Sequence, residues 1–260
     1  MFIFNFIIII LNIRLPFITN IDIYNKKILE LKDFEINSLE YEEAIKIDHR
    51  NLFQYYFSLL KNNHPLSFSF GSFNDYNPPI IKKFLFFFSF SLDFTINTLF
   101  FNDNTMNKIY TDKGKYNFLY QIPQILYSTM ISKFIDIFIR ILALSQDNIV
   151  ELKQEKNKKD LDNKYKKLIK KLKIKFTLFF VIDFLVLIFF WYYITCFCGI
   201  YVNTQSHLIK DTVISFLTGL LFPFILYIIV GIFRISALRA ELQDRKSLYK
   251  FSSFIESVLG

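Results

Sequence analysis

The run ELKQEKNKKDLDNKYKKLIKKLKIK, residues 151–175, separates two apolar blocks and decides how the rest of the chain is read. It holds eleven lysines (153, 156, 158, 159, 164, 166, 167, 170, 171, 173 and 175) against four acids, Glu151, Glu155, Asp160 and Asp162. That surplus of seven is nearly all of the chain's formal +8. Residues 118–139 before it and 176–200 directly after it are apolar stretches close to the roughly 20 residues a helix needs to cross a bilayer. A basic run abutting such a block is what the positive-inside bias keeps in the cytoplasm, and its lysines suit anionic lipid head groups.

Composition points the same way. A chain of 260 residues that is 53% hydrophobic and 19% aromatic, with six Gly and six Pro, is far from the soluble average. Basic proteins often bind nucleic acid, but here the positive charge lies beside the apolar blocks, so lipid is the expected partner and nucleic acid is not. The two cysteines, Cys196 and Cys198, point apart on a helix and read as packing residues rather than a disulfide. Richness in Phe, Ile, Lys and Asn suggests an AT-rich genome.

Four spans are expected, over 84–101, 118–139, 176–200 and 213–233. Residues 1–20 form another hydrophobic segment, broken by Asn5, Asn12, Arg14 and Pro16. It lacks a basic leader and a small-residue cleavage site, so it reads either as an extra span or as the end of a longer helix. Residues 21–83 are the one long polar-mixed region. Within it Tyr41, Ala44, Ile45, Leu52, Tyr56, Leu59 and Leu60 recur at helical spacing, which predicts one amphipathic helix over 38–61, capped near Asn37. Its apolar face suits packing on the bundle better than the membrane surface. The basic loop, 145–175, carries the stripe Leu161, Tyr165, Leu168 and Leu172 and is expected to continue as helix into the third span. Trp191, Tyr192, Tyr193 and Tyr201 then mark the far interface. In the last span, Gly219, Pro223 and Gly231 suggest a kink and close helix packing. A basic tail, 234–260, follows.

Topology rests on lysine and arginine. Residues 20–83, 151–175 and 234–260 together hold 24 of them, and the loops 102–117 and 201–211 hold four. Both ends of the four-span bundle are therefore expected in the cytoplasm, most naturally at the plasma membrane.

Catalytic signatures do not emerge. Phosphate-binding loops, dinucleotide fingerprints, HExxH and GxSxG are absent, and His49, His64 and His207 are scattered. Neither an enzyme nor a cofactor is expected. Polar residues inside the spans remain: Asp93 and Asn97 in the first, Lys133, Asp136 and Arg140 in the second, and Asp183 in the third. Lys133 and Asp183 fall at similar depth, so they are expected to approach one another, as ion-paired glue or as a transport site.

Several phrases carry a resemblance: YEEAIKIDHRNLFQYYFSLLKNNH (41–64), FGSFNDYN (70–77), NTLFFNDNTMNKIY (97–110), NFLYQIPQILYSTMISKFI (117–135), FFWYYITCFCGIYVNTQSHLIKDTVISF (189–216) and FRISALR (233–239). Over about residues 40–240 the chain resembles the C-terminal multi-span module of large ciliate transmembrane proteins of unknown function. That implies a membrane-anchoring end behind a large extracellular region and a preceding span, of which this chain would be the stub. More distantly, HPLSFSF (64–70), INTLFF (96–101) and the 199–216 phrase are similar in layout to the four spans that follow the cytoplasmic β-sandwich of the adhesion-receptor-like polycystins. Residues 21–79 are too few for a β-sandwich of about a hundred residues, so channel activity is not implied.

The expected fold is thus an all-α integral membrane protein: a four-helix transmembrane bundle with the N-terminal segment, an amphipathic helix and a Lys-rich cytoplasmic helical loop. Its expected role is an anchor or interaction module with protein partners or further copies. The alternative is a channel or transporter subunit that uses the intramembrane charges.

Overall fold

A computed structural model describes residues 32–71, 75–153, 161–239 and 245–259. The N-terminal hydrophobic segment, the middle of the basic run and part of the tail lie outside the described residues. Among those described, the fold is all-α, without a strand. The helices are α1 (Asp33–Asn37), α2 (Tyr41–Ile47), α3 (Leu52–Asn63), α4 (Pro65–Phe70), α5 (Pro79–Leu99), α6 (Asp103–Thr111), α7 (Phe118–Ala143), α8 (Gln146–Lys153), α9 (Leu161–Ile200), α10 (Gln205–Leu238) and α11 (Lys246–Leu259).

The single helix expected over 38–61 is two. Asn37 ends α1 instead of capping the next helix, and Glu40 is the N-cap of α2. Glu42 and Glu43 occupy the first turn of α2, where the helix dipole favours them. The chain leaves helical geometry at Asp48, and Arg50 folds back onto the Asp48 carboxylate at 2.7 Å. A fresh start follows: the Asn51 side chain accepts from the Gln54 amide at 2.8 Å, while Gln54 Oε1 accepts from the Asn51 amide at 2.9 Å. This reciprocal capping box makes a break cheaper than an unbroken helix with an i,i+2 ion pair.

Among the described residues two helices are long and apolar enough to cross a membrane, within Asn163–Ile200 and Val202–Leu238, at mean hydropathies of 2.3 and 2.5. A third counts if α5 and α6, bent by 78° at their junction, form one span. Four were expected. The shortfall has a physical reason: α7 carries Gln121, Gln124, Ser128, Ser132, Lys133, Asp136 and Arg140, which lower its average apolarity although its length suffices. In α9 the basic turns and the apolar turns are one helix of 40 residues, about 60 Å at 1.5 Å per residue. Half of that length is enough to match a hydrocarbon core about 30 Å thick, and the lysines lie in the other half. Lys166, Lys167, Lys170, Lys171 and Lys173 are exposed, and Leu172 is fully buried between them. Pro223 lies within α10, which runs unbroken through it.

The chain divides into two compact units. The first comprises Met1–Lys82, Leu144–Leu172 and Phe222–Gly260. Tyr55 and Leu59 of α3 pack there on Tyr227, Val230 and Ile235 of α10, and Tyr41 and Ala44 of α2 pack on Ala237 and Tyr249. At Gly231 the α3 contact is close: an added Cβ would stand 2.8 Å from Leu52 Cδ1, and that side-chain end would have to shift. Ser145 ties the start of α8 to the chain before α5: its amide donates to Asn77 Oδ1 at 2.9 Å and its hydroxyl to the Tyr76 carbonyl at 2.7 Å.

The second unit comprises Lys83–Ala143 and Lys173–Leu221. Edge-to-face phenylalanine pairs hold it together, Phe84 with Phe180, Phe86 and Phe90 with Phe216, and Phe101 with Phe197. Such pairs add about 0.5–1.5 kcal/mol each beyond the area they bury. Phe101, Ile109, Phe197 and Leu208 close one end, with Cys198 packed against them.

Candidate functional site

In the second unit the buried stripe of α7 is polar. Gln121, Gln124, Ser128, Ser132 and Asp136 follow one another at intervals of three and four residues, all buried. The opposite face exposes Leu119, Met130, Phe134 and Ile141, each between 63% and 78% accessible. A soluble helix has the reverse arrangement.

Partners for this stripe come from α5 and α10. At its start Gln124 Nε2 and the Tyr116 hydroxyl both donate to the carboxylate of Asp211, which is fully buried. Burial and the adjacent Asp211 carboxylate push the Tyr116 phenol above its ordinary range. One turn on, the Ser128 hydroxyl donates to Asn97 Oδ1 at 2.9 Å, and Asn97 Nδ2 donates to the Asp93 carbonyl at 2.8 Å. Thr129 Oγ1 and Ser215 Oγ lie 2.7 Å apart. Farther along, Asp136 accepts from the Ser89 hydroxyl and forms an ion pair with Arg140 at 3.3 Å.

Lys133 is half-buried and lays its aliphatic stem toward Gly219, where an added Cβ would stand 3.6 Å from its Cε. Its charge acts on Asp93, which is buried with one carboxylate oxygen unbonded. Asp183 is fully buried, and neither of its oxygens has a hydrogen-bond partner. The expected approach of Lys133 to Asp183 therefore does not appear as an ion pair; matched depth along two helices does not fix which faces meet. Asp136 is the charged neighbour of Asp183 and acts on Asp93 as well.

The first unit contains a second polar centre that the sequence did not single out. Arg234, fully buried, donates to the carbonyls of Ile36 and Asn37 at 2.9 Å each and to Asp48 Oδ2 at 3.3 Å. It lies 3.8 Å from Glu256, and its guanidinium covers the rings of Tyr55 and Tyr249. Arg50 grips both Asp48 oxygens, at 2.7 and 2.8 Å, and also donates to Asn37 and Ser58. The Tyr55 hydroxyl donates to Glu256 at 2.7 Å. Burial alone would raise the Asp48 carboxyl, but the Arg50 hydrogen bond and the charges of Arg50 and Arg234 hold it below its ordinary value. Burial dominates at Glu256 and pushes it up despite Arg234. This clasp joins α1, the α2–α3 turn, α3, α10 and α11.

Only one signal could have exposed α7's stripe beforehand, the i,i+3/i+4 recurrence of its polar residues. The clasp had none, because Arg234 and Asp48 are 186 residues apart in the chain. Among the described residues no group of three or more His, Cys, Asp or Glu side chains could hold a metal ion. His64 stacks on Phe224 and His207 on Tyr116.

The arrangement defines a class, an all-α protein with helices able to cross a membrane and a polar interior between them. No protein-family model, no curated protein and no solved structure matches the chain.

Proposed function

We propose that the chain is a multi-pass membrane module that anchors or couples protein partners at the bilayer, with four spans carried by α5, α7, α9 and α10. The inverted polarity of α7 carries this reading, since an apolar outer face around a polar inner stripe is stable in lipid and not in water. On this reading α7 and α5 are spans whose polar residues are turned inward, away from lipid. The lysine-bearing half of α9 lies on the cytoplasmic side, against anionic head groups, with both ends of the bundle on that side of the plasma membrane.

The test is cysteine accessibility in intact cells, with Cys196 and Cys198 first replaced. Lys113→Cys should react with an impermeant thiol reagent, and Lys170→Cys should react only after permeabilisation. The opposite pattern inverts the topology, and labelling of both in intact cells removes the α9 crossing.

A second reading, a channel or transporter subunit, is favoured by the buried stripe from Gln121 to Asp136. It predicts ion flux in reconstituted vesicles that Asp136→Asn alters without loss of folded protein.

A further inference from the structure

Asp183 has what an intramembrane proton site needs, a fully buried carboxylate whose two oxygens lack any hydrogen-bond partner. An ionised carboxylate so placed is strongly unfavourable, because nothing replaces the water it has lost. The surroundings offer no compensation. On α7, Asp136 is itself negative and already engaged by Ser89 and Arg140. Lys133 acts electrostatically on Asp93 of α5 and forms no hydrogen bond with Asp183, and α10 carries no charged residue between Thr212 and Phe233. Phe179, Phe180 and Phe190, on the same helix as Asp183, are buried around it in sequence and keep that stretch apolar. A divalent cation would need several carboxylates converging on one point, which the described residues do not provide.

We propose that Asp183 is a reversible proton-binding site on the buried face of α9, and that the proton is its ligand. On loading, a hydronium ion gives its proton to one Asp183 oxygen; an O–H bond forms, water leaves, and the side chain becomes a neutral carboxylic acid. On unloading the same bond breaks and the proton returns to water. This rests on the reading that α9 crosses a bilayer, and it holds whether the module anchors partners or moves ions.

The full chain reconstituted in lipid vesicles can be followed by infrared difference spectroscopy across pH. The expected result is a protonated-carboxyl C=O band that fades as pH rises, is absent in Asp183→Asn, and is displaced but retained in Asp183→Glu. Asp136→Asn should move the pH at which the band fades. Identical spectra for the wild type and Asp183→Asn at every pH would overturn the proposal. So would a band abolished at fixed pH by added sodium, which would make the ligand a metal cation. Circular dichroism separates misfolding from loss of the band, and Asp183→Glu keeps the test alive if Asp183→Asn does not fold. Extraction of the chain by alkaline carbonate would instead remove the membrane reading itself.

Discussion

Arg234 and Asp183 are both fully buried, yet one is saturated with partners and the other has none. Arg234 sits where α1, the α2–α3 turn, α3 and α11 bring two carbonyls, two carboxylates and two aromatic rings around a guanidinium with five donors. Asp183 sits mid-helix among phenylalanines, where neighbouring backbone N–H groups are already used within the helix and offer it nothing. A buried charge held by hydrogen bonds from several segments fixes a fold; a buried acid without donors is stable only when neutral. The first unit is thus built to hold its helices together, and the second keeps a polar group whose charge state can change.

Removing Arg234 should break the comparison most severely. Arg234→Met strands Asp48 and Glu256 in the interior and unbonds two carbonyls, so a loss of about 3–5 kcal/mol is expected. Thermal unfolding in detergent would show it as a large drop in midpoint. Arg234→Lys should recover only part, because an ammonium cannot span both carbonyls and Asp48 at once. A midpoint unchanged in Arg234→Met would mean that the clasp contributes nothing and that the two units do not differ in kind.

Acid and base should act on the clasp in opposite directions. Asp48 is held below its ordinary 3.8, so the stability it contributes is present above that pH and is lost as pH falls toward its folded value. Glu256 is raised from 4.5, so its contribution is complete below that pH and is lost as pH rises through its folded value. The unfolding midpoint should therefore fall on both sides of this narrow window. Asp48→Asn should flatten the acid side and Glu256→Gln the other. A midpoint that rises steadily from pH 4 to 7 in the wild type, unaltered by Glu256→Gln, would remove burial as the dominant influence on Glu256.

What the sequence could reveal follows from the range of its signals. The long helix through Lys164 to Phe190 was legible because its stripe and its apolar block are continuous. The break at Asp48 was not, because Leu52, Tyr56 and Leu59 keep the helical period of Tyr41 and Ala44 across it, while the deciding contacts are the Asn51–Gln54 caps and Arg50. Counting basic residues also mixed two kinds. Lys82, one of the basic residues counted over 20–83, is 2% exposed and paired with Asp75 at 3.1 Å, and Arg234, counted over 234–260, is buried in the clasp. Neither bears on orientation; the exposed lysines of α9 do. Reading 118–139 as one apolar stretch likewise missed that α7 has a polar buried face and an apolar exposed one.

The smallest effect sharpens the contrast furthest. If Lys133 compensates Asp93 and not Asp183, a double-mutant cycle between Lys133→Gln and Asp183→Asn should show coupling within about 0.5 kcal/mol, the limit expected of sites without a shared interaction. The cycle between Lys133→Gln and Asp93→Asn should exceed it, because Lys133 acts electrostatically on the buried Asp93. Asp183→Asn alone should barely alter the thermal midpoint, since it replaces a neutral acid with a neutral amide of the same shape. A large loss in Asp183→Asn that Lys133→Gln partly restores would show the two side chains to be an ion pair. Asp183 would then be charged and held like Arg234, and the two units would share one way of burying charge.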